Sequence, residues 1–369
     1  MTAATETFVP GLEGVVAFHT AIAEPDKDGG ALRYRGVDIE QLVGRVGFDD
    51  VWSLLVDDAF GATLPVDTSL PLIRTGDVRV DVQASLPALA VSRGFRPLLD
   101  ISDEDARDQI AQTTAAALSY VSRSARGDLP EVPESLLQGA TNVVERFLIG
   151  WLGEPSPAQV AAITAYWVSA AEHGMNASTF TGRVIASTGA DVPASMAGAI
   201  GAMSGPLHGG APARVLPMIE AVERAGDARA VVRRILDNKE RLMGFGHRVY
   251  RAEDPRARVL RRTCKELDAP RYEAAAALEQ AARAELMERR PDRTIETNVE
   301  FWAAVILDFA GVPASMMPAM FTCARSTRRC AHILEQKRLG RLVRPAAVYN
   351  GPASRSVDEV AGWSLLARN

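Results

Sequence analysis

The sequence predicts a mainly α-helical fold. Alanine is abundant, and aromatic residues make up only 6% of the 369 residues, a balance that favours packed helices over sheets. Several long segments place apolar residues at helical spacing between start and stop signals that are typical of helices. Strand signals are few: residues 14–23 and 77–82 are predicted as short strands, and the glycines in residues 29–36 are typical of turns.

Two helices are predicted in the middle of the chain from their capping residues. The first begins with Ser156 as N-cap and Pro157 at the first helical position, and it runs to Gly174. The second begins at Asp191 and stops at residues 205–206, a Gly-Pro pair. Its many small residues would allow close packing against another helix.

Three more helices are predicted towards the C-terminus. Residues 227–244 form an amphipathic segment, with Val231, Val232, Ile235 and Leu242 on one face. Residues 272–290 are rich in alanine, leucine and glutamate, which are strong helix formers. Residues 298–313 form an apolar helix that ends at a glycine and a proline.

Composition excludes several classes of protein. The formal net charge of −5 argues against a nucleic-acid-binding protein, which needs a basic face. Three cysteines without a CxxC pair are typical of thiols in a reducing compartment, and the N-terminus carries no secretory signal. The longest run without Asp, Glu, Lys or Arg, residues 192–213, contains prolines and glycines and does not predict a membrane span. We expect a cytoplasmic protein.

Three of the five histidines lie beside glycine. His173, His208 and His247 each occupy a predicted turn or helix end, where an imidazole can transfer protons or donate hydrogen bonds to a ligand. The alternative is that each complements a helix dipole. A metal site is disfavoured because the spacings match no short ligand motif. The remaining two, His19 and His332, lie in apolar patterns and are expected to be structural.

Clusters of arginine indicate an anionic ligand. Guanidinium groups bind carboxylate or phosphate oxygens bidentately. The alternative is that arginines solvate helix faces, as we expect for Arg258 and Arg338. Three clusters are present: Arg256 and Arg258; Arg325, Arg328 and Arg329; and Arg338, Arg341 and Arg344.

Six segments, in order along the chain, resemble the citrate synthase family: "GLEGVVAFHTAIA", "LRYRGVDIEQL", "EHGMNASTFTGRV", "GPLHGGAPARV", "MGFGHRVYRAEDPRA" and "LEQKRLGRLVRPAAVY". The resemblance is to the compact bacterial and archaeal branch. It implies a helical homodimer with two domains in each subunit. The large domain would comprise residues 1–212 and 318–369, and a small mobile domain residues 213–317.

The resemblance also implies a reaction, the condensation of acetyl-CoA with oxaloacetate, with no metal and no cofactor. The reaction needs a base for the thioester methyl group and donors for the developing charge. The resemblance assigns the thioester oxygen to His208, the oxaloacetate carbonyl to His247 and the CoA adenine to the backbone of Gly244, Phe245 and Gly246. Oxaloacetate would be bound by His173, Arg256, Arg325 and Arg344, the last reaching in from the partner subunit.

The chain departs from the family at the base. The family has aspartate where this chain has Glu300, whose extra methylene extends the carboxylate by about 1.5 Å. Glu300 is the predicted base. The alternatives are a surface glutamate in an impaired enzyme, or Asp308 two turns on as a distant substitute. Three functions therefore stay open: citrate synthase, 2-methylcitrate synthase acting on propionyl-CoA, and a non-catalytic relative that binds CoA or citrate.

A second departure lies on the predicted helix that carries Arg325. The family commonly has Gly-Trp where this chain has Arg328 and Arg329. These residues add two positive charges close to Arg325, and the sequence assigns them no role.

Overall fold

Most of the chain that the structure describes is helical. The structure is a computed structural model, and it describes residues 8–26, 28, 30–66, 71–205, 212–246, 252–292 and 294–366. The predicted fold class, mainly α, is confirmed. In chain order the helices are α1 (Phe48–Asp57), α2 (Val78–Arg93), α3 (Asp103–Ala125), α4 (Glu134–Gln138), α5 (Val143–Leu152), α6 (Pro157–Ala170), α7 (Ala177–Ser187), α8 (Val192–Met203), α9 (Leu216–Ala225), α10 (Ala228–Asp237), α11 (Pro255–Glu266), α12 (Tyr272–Arg289), α13 (Val299–Phe309), α14 (Met317–Ala324), α15 (Ser326–Leu339) and α16 (Trp363–Leu366).

The capping residues that were read from the sequence begin the helices as predicted. Ser156 caps α6 by accepting the backbone N–H of Gln159 at 3.2 Å, and Gln159 returns a bond to the N–H of Ser156. Asp191 caps α8 by accepting the N–H of Ala194 at 2.8 Å. The helix predicted over residues 227–244 is shorter than expected, because α10 ends at Asp237.

A small antiparallel sheet stands near the N-terminus. Its strands are β1 (Ala23–Asp26), β2 (Ala31–Tyr34) and β3 (Val37–Asp38), in the order β1-β2-β3. Ala23 pairs with Tyr34, and Arg33 pairs with Asp38. The strand predicted over residues 14–23 is wrong except at its last residue.

The strand predicted over residues 77–82 is also wrong, because these residues begin α2. Valines at alternate positions imitate a half-buried strand. Asp77 instead accepts the backbone N–H of Val80 at 2.9 Å as an N-cap. The apolar pattern then continues at helical spacing through the buried Val82, Leu86 and Leu89. The helical repeat over the whole segment therefore determines the structure, and the local alternation of valines does not.

Helix α6 is central to the packing. Its buried Trp167 makes edge contacts with Phe48 and Phe147, both with ring centroids 5.0 Å away. Helices α11, α13 and α14 all pack against α6. The C-terminal end of α6 leads directly into Glu172 and His173, so these helices bring their functional residues to one region.

In the ranges that the structure describes, no helix is long and apolar enough to cross a membrane. The division of the chain into a large domain (1–212 and 318–369) and a small domain (213–317) stays a prediction.

Candidate active site

The structure describes eight of the residues predicted to form the site, and His208 and His247 lie outside the described residues. Nothing is therefore added to the roles expected for these two histidines. The described ones are His173, Gly244, Phe245, Gly246, Arg256, Glu300, Arg325 and Arg344.

His173 and Arg325 are in direct contact. Nδ1 of His173 lies 2.9 Å from Nη1 of Arg325 and also 2.9 Å from Nη1 of Arg328. A guanidinium group has only donors, so Nδ1 must be the acceptor and the ring proton lies on Nε2. The contacts therefore fix the imidazole as a neutral Nε2–H tautomer.

The carboxylate of Glu172 orients this histidine. One oxygen accepts the backbone N–H of His173 at 2.9 Å and that of Gly174. The other oxygen lies 3.3 Å from Nε of Arg328 and 3.6 Å from Nε2 of His332. Burial opposes ionisation, but Arg328 and His332 hold the pKa of Glu172 below its usual value. Glu172 is therefore a buried anion that anchors the backbone at His173.

A further layer of polar residues supports Glu172. The hydroxyl of Tyr34 accepts the backbone N–H of Glu172 at 3.2 Å. The buried Arg183 lies with Nη1 at 2.9 Å from Nδ1 of His332 and 2.5 Å from the carboxylate of Glu335. His332 is buried, as expected of a structural histidine, whereas His19 is exposed.

Arg325 is buried without a carboxylate partner among the described residues. Only 1% of the residue is exposed, and its Cζ lies 4.3 Å from the centroid of the Phe321 ring. Its Nε donates no hydrogen bond within the described chain. Burial and the guanidinium groups of Arg328 and Arg256 depress the pKa of Arg325 well below its usual range. The charge of Glu172 opposes this depression, but no carboxylate of the described residues forms an ion pair with Arg325. A buried cation without an ion-pair partner is an arrangement that an anionic ligand can complete.

Arg256 stands in the first turn of α11 and pairs with Asp254. Nη2 of Arg256 lies 2.7 Å from Oδ2 of Asp254, and Nε lies 2.9 Å from Oδ1. Oδ2 of Asp254 also accepts the backbone N–H of Val299 at 3.0 Å. The pair therefore joins the beginning of α11 to the beginning of α13.

Glu300 lies in the first turn of α13 and is partly buried. Its backbone N–H donates to the N-cap side chain of Asn298 at 3.0 Å. Its carboxylate receives no hydrogen bond or ion pair from any other described residue. Burial raises the pKa of Glu300, although Arg256, Arg241 and Arg214 oppose the rise. A half-buried carboxylate with a raised pKa has the properties of a general base.

Asp308, the distant alternative to Glu300, has a separate partner. Its Oδ2 lies 3.0 Å from Nε of Arg271. This ion pair holds Asp308 against the segment that precedes α12.

Residues 244–246 are tied to the segment that carries Glu300. Gly246 donates its N–H to Glu296 O at 2.8 Å, and Asn298 donates its N–H to Gly244 O at 2.9 Å. The buried ring of Phe245 packs edge-on against Phe301, with centroids 5.4 Å apart. Backbone hydrogen bonds and an aromatic contact therefore join the predicted CoA contact to the segment of the predicted base.

Arg344 is not brought together with the other predicted site residues. It lies in the exposed, extended segment that follows α15, and no described residue pairs with its side chain. The two arginines expected to lie on helix faces have surface partners: Arg258 contacts Glu40 at 2.6 Å, and Arg338 contacts Asp103 at 3.2 Å.

Three residues of the region were not assigned a role from the sequence. Glu172 is signalled only by its position beside His173. Arg328 follows Arg325 by three residues, a spacing that puts two residues on one face of a helix. Tyr166 on α6 is buried, and its hydroxyl has no hydrogen-bond partner in the described chain. Burial raises the pKa of Tyr166, and the charges of Arg325 and Glu300 act on it in opposite directions.

A separate cavity of about 470 Å³ lies between α2, α8 and α14. None of the predicted site residues lines it. Across the described ranges, no group of three His, Cys, Asp or Glu side chains is placed to hold a metal ion.

The chain is similar to known proteins over nearly all of its length. The family described as "Citrate synthase, C-terminal domain" matches residues 11–346. A Mycobacterium tuberculosis protein named "Putative citrate synthase 2" is 69% identical over 369 residues, with 99% of both chains covered. A Shewanella oneidensis 2-methylcitrate synthase is 28% identical, covering 95% of this chain and 97% of its own.

A solved structure has the same fold. It is the ternary complex of Thermoplasma acidophilum citrate synthase with carboxymethyl coenzyme A and oxaloacetate, with a TM-score of 0.77 and 25% identity. The similarity covers 95% of this chain and 98% of that one. The resemblance inferred from the six sequence segments is thus confirmed, and the chain belongs to the citrate synthase family of enzymes.

Proposed function

We propose that the protein is a citrate synthase, which condenses acetyl-CoA with oxaloacetate and water to give citrate and CoA. The observation that carries the proposal is the buried guanidinium of Arg325, which contacts His173 and forms no ion pair with any described residue. A small dicarboxylate supplies the missing negative charge. The relative from Thermoplasma acidophilum, crystallised with oxaloacetate and a CoA derivative, supports this choice of ligands.

Oxaloacetate binds through the arginines and His173. Arg325 has no acidic partner of its own, so a substrate carboxylate gains a charge-assisted hydrogen bond without displacing a protein anion. Arg256 on α11 supplies a second guanidinium, which Asp254 holds in place. His173 offers its Nε2–H to a substrate oxygen.

Glu300 removes a methyl proton from acetyl-CoA. Its raised pKa makes its carboxylate a stronger base than an exposed glutamate. Residues 244–246 contact the CoA, and their pairing with residues 296–298 sets the distance between the thioester and Glu300. His208 stabilises the charge on the thioester oxygen, and His247 protonates the oxaloacetate carbonyl, as the family resemblance implies.

The functional unit is a homodimer in the cytoplasm. Arg344 stands exposed on the extended segment after α15 and makes no contact with the site of its own subunit. An arginine that serves a carboxylate site from this position acts on the site of the partner subunit.

The second candidate is 2-methylcitrate synthase acting on propionyl-CoA, which the Shewanella oneidensis relative supports. One methylene discriminates between substrates by only about 1–3 kcal/mol in an apolar pocket. Both candidates use the same arginines, His173 and Glu300.

Steady-state release of free CoA thiol, with oxaloacetate saturating, tests these alternatives. We expect a higher kcat/KM for acetyl-CoA than for propionyl-CoA. Equal or better use of propionyl-CoA would favour 2-methylcitrate synthase. No thiol release from either substrate, by protein that still binds CoA or citrate, would favour a non-catalytic relative.

A further inference from the structure

Arg329 on α15 is a buried arginine that the proposed reaction does not use. Only 1% of the residue is exposed, although the family commonly has tryptophan, a mainly apolar side chain, at this position. Arginine is charged in proteins, and a buried charge is costly unless an anion pairs with it. An arginine in this place therefore needs a partner that a tryptophan does not need.

The described residues supply no such partner. Nη2 of Arg329 contacts Sδ of Met203, Nη1 lies 3.3 Å from Thr322 O, and Nε donates no hydrogen bond within the described chain. A thioether sulfur is only a weak acceptor, and a backbone carbonyl carries no net charge. Burial and the charge of Arg328 lower the pKa of Arg329 to about 9, and the groups that oppose the fall are thiols, not carboxylates. The guanidinium therefore stays charged at neutral pH without a counter-ion among these residues.

One edge of Arg329 matches a carboxylate. Nε and Nη2 lie side by side on that edge of the planar guanidinium, and neither has an oxygen acceptor in the described chain. The two oxygens of a carboxylate bind such an edge with two parallel hydrogen bonds.

The contacts of Arg329 place it behind the wall of the cavity between α2, α8 and α14. Met203 is the last residue of α8, Thr322 lies on α14, and both residues line this space of about 470 Å³. Methionine has three rotatable bonds and adapts its shape readily. Rotation of the Met203 side chain therefore brings the edge of Arg329 within reach of a group in the cavity.

The lining of the cavity fits a ligand with one negative charge and an apolar body. Its charged lining residues in the described chain are Asp77 and Arg79, whose charges cancel, so Arg329 leaves one net positive charge. A nucleotide, with several phosphate charges, is a poor match for that balance. Most of the remaining lining is apolar and includes Val78, Val82, Val121, Ile200 and Phe321.

We propose that this cavity is a second ligand site, which binds a monocarboxylate with a hydrocarbon chain through Arg329. The carboxylate replaces the sulfur of Met203 at the guanidinium, and the chain lies against the apolar lining. The site is separate from the one proposed for oxaloacetate, because Arg325 does not line the cavity. Since the family commonly has tryptophan where Arg329 stands, the second site is not general to the family.

Calorimetric titration with octanoate tests the site, and octanamide is the uncharged probe of the same chain length. We expect the wild type to bind octanoate about tenfold or more tightly than octanamide, since only the acid forms a charge-assisted pair. Arg329→Met should bind octanoate as weakly as it binds octanamide. Arg338→Met, which removes a surface charge paired with Asp103, should bind octanoate like the wild type. Equal binding of acid and amide by the wild type, or no binding of octanoate, overturns the proposal.

A second titration separates this site from the proposed active site, where Arg325 also attracts carboxylates. Octanoate should bind the wild type in the presence of saturating oxaloacetate, and it should bind Arg325→Met with similar affinity. Binding that is lost in Arg325→Met but kept in Arg329→Met would place octanoate in the active site and contradict the proposal. The measurement on Arg325→Met needs no oxaloacetate, so it holds even if the proposed function is wrong.

Denaturant unfolding tests whether Arg329 has a partner inside the protein. Arg329→Met and Arg329→Trp, which restores the family residue, should each be at least as stable as the ligand-free wild type, because an unpaired buried charge is removed. Octanoate should stabilise the wild type and neither variant. A loss of stability in both variants would mean that Arg329 is already paired within the fold, and it would overturn the proposal.

Discussion

Asp254 and Arg256 form a buried ion pair, with Oδ2 of the aspartate 2.7 Å from Nη2 of the arginine. The same carboxylate caps the beginning of α11 by accepting the backbone N–H of Arg256 at 3.1 Å, and it accepts the N–H of Val299 at the beginning of α13. One side chain therefore sets the position of Arg256, the arginine proposed to bind substrate, relative to the helix that carries the proposed base.

Asp254→Asn should destabilise the protein by about 3–5 kcal/mol, because it removes the negative member of a buried pair. Denaturant unfolding measures the loss. Glu24→Gln is the control, since it breaks the exposed contact between Glu24 and Arg33 at 3.0 Å, and exposed pairs contribute only about 0–1 kcal/mol. Similar losses in the two variants would contradict the importance assigned to Asp254.

Gly244→Ala should destabilise the protein more than Gly36→Ala and should raise the KM for acetyl-CoA. Both glycines have a φ of +84°, so alanine costs about 1–2 kcal/mol of backbone strain at either site. A Cβ at Gly244 would lie only 2.8 Å from Cβ of Phe301, whereas nothing lies within 4 Å at Gly36. Overpacking adds about 1–3 kcal/mol. An unchanged KM in Gly244→Ala would argue against CoA binding at residues 244–246.

Glu300→Gln should abolish exchange of the acetyl-CoA methyl protons with solvent while both ligands still bind, because an amide cannot accept the proton. Proton NMR of acetyl-CoA in deuterated buffer, with oxaloacetate or an unreactive analogue of it, measures the exchange. Retention of most of the exchange would mean that the base lies elsewhere.

Glu300→Asp restores the residue that is usual in the family, yet we expect it to lower kcat by about tenfold or more. Aspartate would withdraw the carboxylate towards the backbone, and a displacement of about 1 Å can cost on the order of 100-fold in rate. Steady-state kinetics measure the change in kcat. A rise in kcat would contradict the expectation and would mean that aspartate is the more effective base with acetyl-CoA.

Activity should fall on acidification at a higher pH than for an enzyme with an ordinary exposed glutamate. The base must be ionised, and burial raises the pKa of Glu300, so its basic form is lost earlier as the pH falls. Arg241 opposes this rise in pKa and is exposed. Arg241→Met should therefore move the acidic limb of kcat further upwards, and Arg338→Met, on a distant helix end, should leave it in place. A downward movement in Arg241→Met would contradict the assignment.

Mixed dimers of Arg344→Ala and Arg325→Met subunits should recover roughly half the activity of a wild-type dimer. If Arg344 acts on the partner's site, one site carries both lesions and the other is whole. If Arg344 acts within its own subunit, both sites are damaged and the mixed dimer is as inactive as its parents. Co-expression with two affinity tags gives the mixed species for assay.

Local signals in the sequence sufficed for much of the fold. The N-caps Ser156 and Asp191 are each recognisable from a few neighbouring residues, and each begins a helix in the structure. The alternating valines at residues 78–82 led to a wrong strand prediction, because so short a segment cannot distinguish a strand from the first turn of a helix. The family resemblance supplied what local signals lack, the order of the elements in space.

The contacts within the site were less accessible to sequence reasoning. His173 and Arg325 are separated by 152 residues, and the packing of α6 against α14 and of α7 against α15 brings them together. The anchoring of Arg328 by Glu172 depends on side-chain geometry across the same interface. The role of Arg344 stays a prediction, because the site that we expect it to serve belongs to a second chain.

The burial of Arg325 without an ion-pair partner among the described residues also bears on how long the protein survives in a cell. A fold that buries a guanidinium without an ion-pair partner is less stable than the same fold with an anion bound to that group. Ligand at a hundred times its dissociation constant adds about 2.7 kcal/mol of stability. Proteases remove the unfolded fraction of a protein, so a stability change of this size alters abundance several-fold. The supply of substrate would thus set the amount of enzyme through degradation, without any change in gene expression.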